Sequence, residues 1–330
     1  MKRLDAARLL LLAFRVFGRA PESLSRGLMA VVADVAWLRH GAGVRQLEAN
    51  LRRARPAASP RELRRLSRGG MRTYMRYFAE AFVLPRLTPE QIDARVRAPG
   101  IEPALAEAGQ GRPVVLALAH QGNWDLAGAW ATVHLAPATA VAERLNPPEV
   151  FEALRRLRES VGMTIIPLDK GSDVFRELVR TVQRGNVLIP LVADRDLTSG
   201  GVEVELLGEP ARVAVGPAAL AVATGAVLVP THIWHERLTG ARRRAAGTKW
   251  GVVISFNPPV PVPTGVTRTE AVKLMTQAWV DQLSADIIRH PTHWHMLQKV
   301  FVADLDPSRY ASATGGVATP VPETSAGGPT

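Results

Sequence analysis

The 330-residue chain contains no cysteine. That excludes disulfides, thiolate-held metals, iron–sulfur clusters and a cysteine nucleophile. Aromatic residues are only 5% of it, and five of its 41 basic residues are Lys, the rest Arg. No RNP, KH or zinc-finger pattern is present, so a nucleic-acid partner is not expected, although the charge alone would allow one. No apolar run reaches the ~18 uninterrupted residues of a spanning helix. The longest, residues 9–14 and 27–38, are closed by Arg15 and carry Asp34. The start, Met1-Lys2-Arg3 and a short apolar run, is too brief for a signal peptide and lacks a clean cleavage site. There is no Gly-x-Ser-x-Gly elbow, no Walker A loop and no GxGxxG turn, which speaks against a serine hydrolase of the elbow type and against nucleotide-dependent chemistry.

What is present is a chain large enough for one sizeable core, 47% hydrophobic, with a formal charge of +11. The arginine excess has two readings: a GC-rich coding bias, or an anionic partner such as phosphates or lipid. Residues 1–95 read as helical, with apolar faces at 9–16 and 27–38 and a helix at 60–83 opened by Ser59 as N-cap and Pro60 in the first turn. Between Arg39 and Arg76 lie eleven Arg and two acids, Glu48 and Glu62. Such a run is a solvated face, or the basic layer of a protein resting on anionic lipid.

From residue 111 the pattern alternates. Apolar strand-like runs at 113–119, 138–142, 163–168, 187–193, 227–233 and 250–256 are separated by helical segments at 123–134, 148–160, 172–184 and 217–224, and a long helix follows at 270–288. This predicts an α/β fold: a mixed, largely parallel central sheet flanked by helices, preceded by an N-terminal helical membrane-associating layer. The expected division is 1–95 for the basic helical part, 96–305 for the α/β core packed with it as one domain, and 306–330 for a disordered Ser/Thr/Gly/Pro tail.

The segment His120-Gln121-Gly122-Asn123-Trp124-Asp125 concentrates the chemistry. A buried strand delivers His120 to its C-terminal end, where open α/β sheets bind ligands. Gly122 permits a tight turn and Asn123 suits an N-cap. Asp125 in the first helical turn can then fold back toward the imidazole and orient it as a general base. The competing reading makes Asp125 a helix-end acid and His120 a core histidine. Asp194 and Glu203 rival Asp125 as the carboxylate partner of His120. Glu143 and Arg144 follow a strand end, Arg158 lies on the next helix, and Asp194-Arg195-Asp196 ends another strand. The arginines suit phosphate or a surface ion pair. His290, His293 and His295 do not converge with a carboxylate, so no metal is expected. Trp294 and Met296 suit the core or the wall of an acyl channel.

HQGNWD resembles the H-x4-D motif of the lysophospholipid/glycerolipid acyltransferase superfamily, in the branch containing lipid A late acyltransferases and actinobacterial phosphatidylinositol mannoside acyltransferases. The blocks VAERLNP from Val141, ADRD from Ala193, GPAALA from Gly216 and HWHMLQ from His293 occur in the family's order. The resemblance implies transfer of a fatty acyl chain, commonly palmitoyl, from acyl-CoA to the 6-hydroxyl of the mannose on the inositol 2-position. His120 is then the base, oriented by Asp125, with Glu143 on the sugar and Arg144, Arg158 or Arg195 on phosphates. Asn123 and Trp124 line the substrate site. No cofactor is implied beyond acyl-CoA as co-substrate. The partners implied are acyl-CoA, a mannosylated phosphatidylinositol and an anionic membrane surface, with the protein a monomer on the cytoplasmic face of the membrane. A lysophospholipid or lipid A precursor is the alternative acceptor.

Overall fold

The computed structural model describes residues 20–144, 148–168, 173–196 and 200–306. The apolar segment expected at 9–16 and the tail at 307–330 lie outside the described residues.

The centre is β2 (Val114–Leu118), buried at every position. It pairs in parallel with β5 (Leu188–Val192) on one side and β8 (Val227–Arg237) on the other, Val115 opposite Ile189 and Leu116 opposite Val229. A strand covered on both faces reads as a continuous apolar run, which is why PVVLALA was legible. β8 pairs antiparallel with β9 (Trp250–Phe256), and β9 pairs in parallel with the two-residue β1 (Val96–Arg97). A parallel pair, β3 (Thr139–Glu143) and β4 (Thr164–Leu168), joins the β5 edge through a bridge between Ala138 and Leu188. The sheet is thus mixed and largely parallel.

Helices cover both faces. The expected segments form α6 (Trp124–His134), α7 (Pro148–Ser160), α8 (Val174–Gln183), α9 (Gly216–Thr224) and α11 (Arg268–Arg289). On α8, Val174, Leu178 and Val182 recur every four residues and are the buried ones. Two short helices, α5 (Glu102–Gly109) and α10 (Gly240–Ala246), complete the α/β part.

One element was not anticipated: the antiparallel hairpin of β6 (Val202–Leu206) and β7 (Glu209–Val213). Its two-residue turn places Leu207 at φ 54° and Gly208 at φ 82°. Leu is a poor turn signal because its Cβ disfavours that region, so nothing in the sequence marked the loop. β8 also runs four residues past the expected end, because beyond Thr231 its partner is β9 and no longer β2.

The N-terminal helices are α1 (Glu22–Leu38), α2 (Ala42–Ala54), α3 (Pro60–Val83) and the short α4 (Pro89–Arg95). Ser59 caps α3 by accepting from the Glu62 amide at 3.2 Å. The arginine run is only partly a solvated face. Arg53 binds Asp304 and Glu209, while Arg68 and Arg72 both grip Asp34 across the α1–α3 contact. Asn50, buried on α2, donates to the carbonyls of Met296 at 2.8 Å and Gln298 at 3.0 Å. The helical layer is therefore fastened to the C-terminal segment of the chain.

Leu228 at the start of β8 is fully buried. Leu228→Ala should lower the unfolding free energy by about 2–5 kcal/mol, measured by urea denaturation; a smaller loss would show that the core collapses around the vacated volume.

Candidate active site

β2 ends one residue before Ala119, and the chain turns sharply through Gly122 into α6. Gly122 has φ +55°, and a Cβ there would meet the Ile233 carbonyl oxygen at 2.6 Å. Conformation and space thus both demand glycine. Asn123 closes the turn as N-cap, accepting from the Leu126 amide at 2.9 Å.

The turn leaves His120 at the sheet edge with its side chain 30% exposed. Its Nδ1 lies 2.6 Å from Asp194 Oδ1, and its backbone N–H donates to Asp194 Oδ2 at 3.0 Å. The Trp294 indole donates to that same oxygen at 2.8 Å. Asp194 is fully buried. Burial alone would raise its pKa, but His120 and these hydrogen bonds outweigh it and hold the carboxyl below its ordinary value. An ionised Asp194 makes Nδ1 the protonated nitrogen, so Nε2 presents its lone pair. Nε2 makes no hydrogen bond among the described residues.

Asp125 does not fold back onto His120. It is fully buried, accepting from the Tyr77 hydroxyl at 2.7 Å and from Arg158 Nε at 2.7 Å. The physical reason is the regular start of α6, which turns Asp125 toward α3 and α7. Burial raises the Tyr77 pKa, with Asp125 adding to it, so the phenol stays protonated as a donor. Burial disfavours the Arg158 charge, but Asp125 and Tyr77 more than offset it and the net shift is upward. Arg158, expected on phosphate, is thus committed at Nε to an internal ion pair. The Tyr77 ring packs on Trp124 with centroids 4.2 Å apart, and Trp124 stands edge-on to His120 at 6.1 Å. Asp125 therefore reaches His120 only by way of Tyr77 and Trp124.

Glu203, the other rival, sits exposed on β6 in register with Arg212 and makes no hydrogen bond to His120. Its strand belongs to the unanticipated hairpin, which carries it off the sheet edge. Asn123 is buried, and besides its cap its Nδ2 donates to buried Glu80 at 2.8 Å. Glu143 and Arg144 lie exposed at the end of β3, and the Arg144 guanidinium stands 5.2 Å from the Phe151 ring centre. Arg195, adjacent to Asp194, is half-buried, and its Nε is buried with no partner among the described residues.

The C-terminal segment completes the site. His295 N–H donates to the His120 carbonyl at 2.7 Å, Gly122 N–H donates to the His293 carbonyl at 3.2 Å, and Gln121 bridges Trp294 in antiparallel fashion. Trp294 and Met296 are fully buried core residues. Burial, then neighbouring cationic groups, hold His293 and His295 far below their ordinary pKa, so both are neutral. No group of three or more His, Asp or Glu among the described residues is arranged to hold a metal. Sequence reasoning missed Tyr77, Glu80 and the donor role of Trp294. Only the Trp294 block gave a signal, as one of the family-like strings.

A histidine held in one tautomer, with its other nitrogen free at a sheet edge, is equipped to take a proton from a hydroxyl. The chain belongs to the bacterial lipid A biosynthesis acyltransferase family, whose model matches residues 5–302. It is an O-acyltransferase. The chain is 36% identical over 301 residues to a phosphatidylinositol mannoside acyltransferase of Mycolicibacterium smegmatis, covering 90% of this chain and 92% of the relative. It is 40% identical over 280 residues to the protein of that name from Mycobacterium tuberculosis, covering 83% and 81%. A solved 1-acyl-sn-glycerophosphate acyltransferase from Thermotoga maritima is similar more remotely, at 16% identity and a TM-score of 0.32, over 80% of this chain and 97% of that one.

Asp194 and Glu80 are both held below their ordinary carboxyl values. A folded-state pKa below the unfolded one gives stability that is present above about pH 4.5 and lost as pH falls through the folded value. Stability should therefore decline on acidification below about pH 4, with a shallower decline in Asp194→Asn, measured by urea unfolding between pH 7 and pH 3. An unchanged acid slope in the variant would remove Asp194 from the linkage. Gly122→Ala should abolish acyl transfer and lower the melting temperature; a variant as stable as the parent would contradict the turn geometry.

Proposed function

We propose that the chain transfers a fatty acyl group, palmitoyl in the first instance, from acyl-CoA to a phosphatidylinositol mannoside. The accepting group is the 6-hydroxyl of the mannose on the inositol 2-position. The observation that carries the chemistry is the His120–Asp194 pair with Nε2 left free; the names of the relatives carry the acceptor.

The reaction balances without a cofactor or an acyl-enzyme. His120 Nε2 takes the proton of the mannose hydroxyl as its oxygen forms a bond to the thioester carbonyl carbon. The tetrahedral intermediate collapses with cleavage of the carbon–sulfur bond, and the CoA thiolate leaves, taking up the proton from the imidazolium. Asp194 stabilises the imidazolium while it exists and fixes the tautomer before and after. Arg195, beside Asp194, and the exposed Glu143–Arg144 pair at the neighbouring strand end remain the candidates for substrate polar groups. Asp125 acts as a positioning residue, through Tyr77 and Trp124.

The acceptor is a lipid, so the enzyme works at a membrane surface. No helix among the described residues is long and apolar enough to cross a membrane. α1 instead exposes Leu24, Leu28, Val31, Val35 and Leu38, the outward face of a helix lying in the interface. The cytoplasmic leaflet, anionic and supplied with acyl-CoA, is the surface that suits this reading.

The test is transfer from radiolabelled palmitoyl-CoA to phosphatidylinositol mono- and dimannoside. His120→Ala should lose activity by about 10²–10⁴-fold with its fold intact by circular dichroism, and Asp194→Asn should lose kcat far more than it raises KM. Undiminished transfer by His120→Ala would place the base elsewhere. Hydrolysis of palmitoyl-CoA without transfer to any mannoside would overturn the acceptor and leave the acyltransferase.

A further inference from the structure

A second concavity, of about 370 Å³, lies between α1, α3, the end of β8 and the start of β9. It adjoins a recess of about 630 Å³ beside α10, and the two share Arg26 and Lys249. Trp250 is the platform of the 370 Å³ cavity. The Arg76 guanidinium lies 3.6 Å from its ring centre and that of Arg237 lies 4.0 Å from it. Arg26 is tied to Glu22 and to Thr248. Arg76, Arg237 and Lys249 have no hydrogen bond or ion pair to a side chain among the described residues. The same holds for Arg243 and Arg244 of the adjoining recess. The acid nearest Arg76 in effect, Glu80, is already engaged by His235 and Asn123.

Arg237 and Lys249 face solvent and Arg72, also in the lining, is paired with Asp34, so the charge that an entering anion would relieve is that of half-buried Arg76. Burial, reinforced by Arg237 and Arg26 against the opposing pull of Glu80, pushes its pKa down to about 10. Guanidinium groups on an aromatic platform match the paired oxygens of phosphate.

The position on α1 indicates where that phosphate comes from. Ser23, Arg26, Gly27 and Ala30 line the cavity. At about 100° per residue they occupy the helix sector next to the exposed stripe of Leu24, Leu28, Val31, Val35 and Leu38. Leu24 is 60% exposed, Val31 57% and Leu38 67%. An anion held in the cavity thus has an uncovered apolar track beside it, as a molecule with both a phosphate and acyl chains requires.

We propose that this cavity binds the phosphodiester of an anionic glycerophospholipid headgroup, with the lipid's chains lying along the apolar stripe of α1. Neither His120 nor Asp194 is among its lining residues, and the assignment rests on the reading that the enzyme works at a membrane surface.

The experiment compares partition of the full chain onto phosphatidylcholine vesicles and onto vesicles with 30 mol% phosphatidylinositol. The variant Arg76→Gln/Arg237→Gln/Lys249→Gln should bind the anionic vesicles at least tenfold more weakly and the neutral vesicles unchanged. A control, Arg156→Gln/Arg180→Gln/Arg184→Gln, removes the same charge from exposed positions on α7, on α8 and at the end of α8 and should lose less than threefold. Equal losses in the two variants would reduce the site to general charge and overturn it. Arg76→Gln alone should melt no lower than the parent, since an unpaired cation is removed; a marked fall in melting temperature would show that Arg76 is structural and overturn the assignment. Inorganic pyrophosphate is the soluble probe. If it raises the parent's melting temperature at millimolar concentration but not the triple variant's, while both bind anionic vesicles equally, the ligand is a free phosphate and the lipid assignment falls. A parent that binds neither kind of vesicle would overturn the membrane reading together with this site. A parent that binds as expected yet transfers no acyl group would overturn only the proposed reaction.

Discussion

One buried carboxylate organises the His120 edge of this protein. Asp194 has no access to water and accepts three hydrogen bonds, two from His120 and one from Trp294. A charge so placed is tolerable only while its donors are in position, because the loss of any one leaves an under-solvated anion. The backbone bond to His120 fixes where β2 ends, the ring bond fixes the imidazole, and the indole bond fixes the C-terminal segment. The geometry at His120 and tertiary closure are therefore enforced by the same group.

Around it, a second set of buried carboxylates holds the turn and its helices. Glu80 on α3 receives Asn123 and His235, joining the helical layer, the cap of α6 and β8. Asp125 receives Tyr77 and Arg158, joining α3, α6 and α7. The carboxylates of the turn region are shared between two tasks: one holds His120, and the others hold the helices around it. This division explains how a conspicuous H-x4-D spacing contains an acid that does not touch its histidine.

The sheet was legible because its strands are buried on both faces and its helices carry four-residue apolar spacing; β2, β5, α8 and α11 follow directly. The hairpin escaped because Leu207 does in its turn what Asn or Gly does elsewhere. At the site, the position of His120 could be read from the strand that delivers it. Its partner could not, since Asp125, Asp194 and Glu203 are equal as sequence, and only the direction of the α6 start and the course of the hairpin separate them. Tyr77 and Glu80 lie on an arginine-rich helix, 48 residues before Asp125 and 43 before Asn123, the partners they bind. No local pattern reports a contact made across that distance. The arginine run itself was ambiguous for a similar reason: whether a cation faces solvent, Asp34 or Asp304 depends on packing.

The antiparallel pairing of residues 293–295 with residues 120–122 has a temporal consequence. During synthesis the strands of the parallel core emerge long before Trp294 does. A nascent chain can thus bury β2 between β5 and β8 while Asp194 still lacks its indole donor and the His120 loop lacks its backbone partner. Contacts of such long sequence separation close late. Closure of the His120 edge therefore waits on the 293–295 segment, one of the last parts of the described chain to be made.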